Sequence, residues 1–219
     1  MGKKKITKQL KEKMTKNRPP RAGFEGLLFY EICGEASNCV KEKRTELDNL
    51  YKKAKNGDRL RRLGPEGMEL LDNIPKQESI AIAFAAMCLE SCIWDYAACY
   101  TSQKKAEEKF GSLNLVAKWQ VIPEIINGSD ITKVKVGDTC LLGMLRKLKQ
   151  ERNNLAHPRS TEWSDDWQKF KEQLFPKPNI MAEDAFILIK LLLKELEKVD
   201  KTRWWFFETA AYKYSIKGE

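Results

Sequence analysis

Residues 79–100 read Ser-Ile-Ala-Ile-Ala-Phe-Ala-Ala-Met-Cys-Leu-Glu-Ser-Cys-Ile-Trp-Asp-Tyr-Ala-Ala-Cys-Tyr, a run whose only charges are Glu90 and Asp95. A helix that is apolar on every face belongs inside a protein or a bilayer. Two acids in the run count against a membrane span, because a carboxylate in hydrocarbon is expensive. The run is therefore read as the central helix of a bundle, and its neighbours in sequence as the helices that cover it.

Upstream, Leu27, Leu28, Ile32, Ala36 and Val40 recur near the helical period and predict a helix from Phe24 to about Lys55, closed by Asn56-Gly57-Asp58. Residues 58–76 carry the breakers Gly64-Pro65, Gly67 and Pro75 and are expected to be a loop. The central helix is then expected to run from about Gln77 to Phe110, with Gly111 as its stop. Downstream, the apolar residues between Leu113 and Ile126 form a linker or short helix that ends at Asn127-Gly128. Asp138 and Thr139 offer N-caps for a helix reaching about Ala156, and Pro158 biases His157 away from helical backbone. Trp163, Trp167 and Phe170 suggest a short helix and turn before a last long helix from about Ala182 to Asp200. There is no strand-period alternation, Gly-rich phosphate loop or internal repeat. The fold class is all-α, a helical bundle of four to five main helices.

The charge is uneven. The chain has 219 residues and a net charge of +9. Residues 1–21 hold seven Lys and two Arg against one Glu, which is +8 of that total. Residues 1–22 are thus a basic tail ending in Arg18-Pro19-Pro20-Arg21, and residues 23–219 a single helical domain with little net charge. Ile6, Leu10 and Met14 would line one face of a helix if a partner induced one; otherwise the tail is solvated, or holds a nucleic-acid backbone electrostatically. The six cysteines lack Cys-x-x-Cys spacing and no secretory segment precedes the domain, so they are read as reduced thiols of a cytoplasmic protein. With one histidine and no zinc-ligand spacing, neither a metal nor another cofactor is expected.

That histidine, His157, closes the string Arg152-Asn153-Asn154-Leu155-Ala156-His157. Imidazole titrates near neutrality and suits proton transfer, while the guanidinium fork suits phosphate. On a wheel with Leu148 at 0°, Leu141 and Leu145 fall at about 20° and 60°, and Arg152 at about 40°, inside the apolar stripe. A charge there needs a partner, with Glu90 or Asp95 available, or else an anion. His157 falls at about 180°, roughly 140° from Arg152. The two come together only if the helix breaks at His157, or across a two-fold dimer axis where the element meets itself. Arg146, Lys147, Lys149 and Arg159 either steer phosphate toward the motif or form an ordinary solvated face. Trp204-Trp205-Phe206-Phe207 is read as core or subunit interface, with base stacking as the alternative.

The Arg-Asn-x-x-x-His string at the end of a helix resembles the motif of the HEPN superfamily, and the surroundings fit. An apolar helix carrying Glu90 comes first, then the Lys118-Trp119 run, then the motif helix, over roughly residues 24–200. The resemblance implies a helical bundle that pairs as a homodimer and cuts RNA without a metal, in toxin–antitoxin, phage-defence or CRISPR-associated systems. Arg152 and His157 would be the catalytic pair. Asn153 and Glu90 would support them, and Lys149 and Arg159 would hold RNA. An antitoxin or defence-system protein is the expected partner, and no membrane is. Two other readings stay open: a non-catalytic HEPN-like module that binds RNA, a nucleotide or a protein, and a helical adaptor whose basic tail meets an acidic partner.

Overall fold

The computed structural model describes residues 24–53, 64–156 and 178–200. The basic tail, His157, Arg159 and the Trp204–Phe207 cluster lie outside the described residues. The fold is all-α. Its helices are α1 (Phe24–Lys53), α2 (Gly64–Thr101), α3 (Gln103–Phe110), α4 (Leu115–Asn127), α5 (Leu141–Ala156) and α6 (Ala182–Val199).

Helix α2 is the axis of the bundle and touches every other helix. Ala81, Ala85, Cys88, Leu89, Cys92 and Ile93 are all buried along it. Beside this stripe, Phe29 of α1 packs against Phe84 of α2 with ring centroids 5.7 Å apart. Arg44 of α1 meets Glu78 of α2, and Cys33 lies near Cys88, so the two longest helices run antiparallel. Tyr30 of α1 packs against Phe186 of α6 with ring centroids 5.0 Å apart. By length and composition α2 passes as a membrane-crossing helix, yet 56% of its most apolar window is buried against its own neighbours.

Three boundaries differ from expectation. Residues 64–76 are helix, not loop: α2 begins at Gly64, thirteen residues before Gln77, and carries Pro75 inside it. Gly67, Leu70, Ile74 and Glu78 are buried at helical spacing, and that stripe outweighs the hydrogen bond Pro75 cannot donate. Pro65 sits in the first turn, where its missing N–H has no intrahelical partner to lose. The expected continuous helix to Phe110 breaks at Ser102, whose φ is 115°. Its Oγ accepts from the Lys105 N–H at 3.4 Å and so caps α3. Finally, Thr139 does not cap a helix. Lys135–Val136 and Thr139–Cys140 pair as a two-residue antiparallel hairpin, and α5 starts at Leu141. Gly137, at φ 56°, supplies the positive φ that a two-residue hairpin loop requires.

The apolar segment after Leu113 is a full helix, α4. Asn114 caps it by accepting from the Val116 and Ala117 N–H groups at 3.1 and 3.3 Å. Gly128 ends it in the left-handed conformation, its N–H bonded to the Glu124 carbonyl at 2.8 Å. Trp119 is fully buried and donates from Nε1 to the Leu89 carbonyl at 3.1 Å, which locks α4 onto α2.

Candidate functional site

Helix α5 carries the motif. Leu141, Met144, Leu145 and Leu148 are buried and dock it on α2, α4 and α6. The same stripe continues to Arg152 and Leu155, but Leu155 is 39% exposed and Arg152 only half-buried. Among the described residues, the apolar face of α5 outlasts the surface it packs on by about one turn. Arg152 therefore sits at the rim of the core, short of the sealed interior that the wheel assigns it. Its Nη2 donates to the Asn153 Oδ1 at 2.9 Å. The neighbouring Glu151 accepts from both the backbone N–H and the side chain of Asn179, at 3.0 and 2.6 Å, and ties this end of α5 to the approach to α6.

Glu90, one of the two acids offered as a partner for Arg152, is paired with Lys118 of α4. The reason is burial. The Lys118 side chain is 8% exposed, and its ammonium also lies 5.1 Å from the Trp94 ring centroid. A cation enclosed this far needs a carboxylate, and Glu90 faces it across the α2–α4 contact. Two thiols are poor nucleophiles: desolvation pushes the buried Cys33 up to about 12 and the half-buried Cys99 up to about 11. Among the described residues no group of three His, Cys, Asp or Glu could hold a metal ion.

The opposite face of α5 forms one wall of an open groove of about 510 Å³, and the N-terminal half of α4 forms the other. The α5 wall consists of Arg146, Lys149, Gln150, Asn153 and Asn154. Asn114 and Gln120 line the α4 side, with Val116 and Ala117 as its apolar part. Among the described residues no carboxylate lines it. With Leu148 at 0°, the α5 wall residues centre near ~170°, the direction that the helical period assigns to position 157. Asn153 belongs to both arrangements, since it lines the groove and also receives the Arg152 guanidinium.

Of the residues singled out from sequence, the structure brings together Arg152, Asn153 and Lys149 at the C-terminal half of α5 and leaves Glu90 out. His157 and Arg159 fall outside the described residues. Sequence reasoning missed Asn114, Gln120, Gln150 and Asn154. The α5 members were visible as a polar stripe at three- and four-residue spacing from Arg146. The α4 members were not, because only packing sets which face of α4 meets α5.

No family model, curated protein or solved structure matches the chain. The HEPN resemblance accordingly rests on the motif and its helical setting.

Proposed function

We propose that this chain is a metal-independent endoribonuclease of HEPN type that works as a two-fold homodimer. The observation that carries the reading is the groove on the motif helix itself, which among the described residues is lined by cations, carboxamides and two small apolar side chains, with no carboxylate. It shares Asn153 with the anchored Arg152. RNA brings its own nucleophile. His157 as general base takes the 2′-hydroxyl proton as that oxygen attacks the adjacent phosphorus. The bond to the 5′-oxygen breaks, and that oxygen takes a proton from a general acid, the partner subunit's His157. The products are a 2′,3′-cyclic phosphate and a 5′-hydroxyl. Arg152 stabilises the charge that builds on the phosphorane oxygens, with Asn153 fixing its guanidinium. Lys149 and Arg159 hold the RNA backbone. A cytoplasmic role in a toxin–antitoxin or phage-defence system, with an antitoxin or defence protein as partner, completes the proposal.

The test is labelled RNA incubated with the full chain in excess EDTA. Wild type should leave cyclic-phosphate ends, and His157→Ala and Arg152→Ala should each lose about a hundredfold or more in rate. Unchanged cleavage by His157→Ala would sink the scheme. A second reading, a module that binds RNA without cutting it, is favoured by one fact: Arg152 does not itself line the groove and reaches it only through Asn153. It predicts binding with no cleavage in any variant.

A further inference from the structure

The groove between α4 and α5 contains more carboxamides than cations, and phosphate holding alone does not call for them. Two of the carboxamides have a fixed orientation. The Asn114 Oδ1 is occupied by the Val116 and Ala117 N–H groups, and the Asn153 Oδ1 by the Arg152 guanidinium. Each therefore has its amide N–H2 left to offer the groove as a donor. Arg146 and Lys149 add only donors. The fixed groups among the described residues of this surface donate, which suits a ligand that presents acceptors.

We infer that the groove is a nucleotide subsite for single-stranded RNA: Arg146 and Lys149 hold a phosphate, and the Asn114 and Asn153 amides read the carbonyl edge of a keto base. Cations position a strand without reading it, whereas amides select at base edges. Unpaired bases expose those edges, and an open groove admits one. A keto base, such as uracil, meets a donor with its carbonyl. Cytosine at the same place turns an amino group toward the donor, leaving both groups unsatisfied. The inference deepens the proposed ribonuclease reading by naming what lies beside the scissile phosphate.

Binding can be measured apart from cleavage with 2′-O-methyl RNA, which lacks the nucleophilic hydroxyl. The experiment is fluorescence anisotropy of labelled 2′-O-methyl oligouridine and oligocytidine with the full chain. The informative variants are Asn114→Asp and Gln150→Glu. Aspartate caps a helix as well as asparagine does, so Asn114→Asp keeps α4 capped while replacing a donor by an anion. Gln150→Glu changes no volume. Lys194→Gln on α6 makes the same change in net charge at a residue that does not line the groove.

Wild type should bind oligouridine more tightly than oligocytidine. Asn114→Asp and Gln150→Glu should each weaken oligouridine binding about tenfold or more, and Lys194→Gln should change it less than about twofold. The assignment is overturned by equal weakening in Lys194→Gln, by no weakening in the two groove variants, by equal binding of the two oligonucleotides, or by no binding at all. If the groove variants behave as stated while unmodified RNA is left intact, the subsite stands and the ribonuclease reading falls.

Discussion

Lys118 shows at the scale of one residue why Glu90 is where it is. A nearly enclosed ammonium is tolerable only with a counter-charge, and Glu90 and the Trp94 ring supply the attraction. The two partners are not equivalent, because the Glu90 side chain is 37% exposed and can reach water alone. Glu90→Ala should therefore cost about 3 kcal/mol, the penalty for a stranded buried charge. Lys118→Met should cost less, since it leaves an accessible carboxylate and keeps the apolar stem packed. Urea unfolding of the two variants checks the order, and equal losses would show that the pair is not limited by Lys118 desolvation. The sequence offered Glu90 or Asp95 as a counter-charge for Arg152. Glu90 goes to Lys118 instead, because a helical wheel places Arg152 in the stripe but does not show which faces of separate helices meet.

At the scale of the element, Pro75 sets local propensity against packing. It removes one backbone hydrogen bond from the interior of α2, yet the helix passes through it because Leu70, Ile74 and Glu78 are buried on one line. Pro75 itself is exposed. Pro75→Ala restores the donor and disturbs no core contact, so it should raise stability by about 2 kcal/mol, after allowing for the freer unfolded chain. Thermal melting measures this, and a lower melting temperature would mean that the proline is required for the path of α2. The motif helix was easier to read. Its buried leucines followed from spacing. The groove did not, since half of it belongs to α4.

For the whole molecule, one arginine joins the three helices that frame the core. Arg44 of α1 contacts Glu78 of α2 at 2.5 Å and both carboxylate oxygens of Glu183 of α6 at 3.2 Å. Burial holds the Glu78 carboxyl above its ordinary value of 4.5; Arg44 pulls it down and Glu183 pushes it further up. The folded protein thus binds this proton more tightly than the unfolded chain does. The resulting stability is fully present below the ordinary value and is lost as pH rises through the raised one. Glu78→Gln should flatten that loss, so that its melting temperature falls less than that of wild type as pH rises above the ordinary carboxyl value of 4.5. An unaltered pH dependence would assign the effect to other groups.

By itself the sequence determined that the described residues are mostly helical, which segment is central, and that Arg152 and Asn153 stand near the end of the motif helix. Those are matters of period and of short-range caps, which the residues carry locally. Tertiary structure alone decided that Glu90 belongs to Lys118, that Pro75 lies within a helix, and that α4 and α5 enclose a carboxamide groove. Each of these depends on which faces of separate helices meet, and burial across the bundle sets that through residues far apart in the chain.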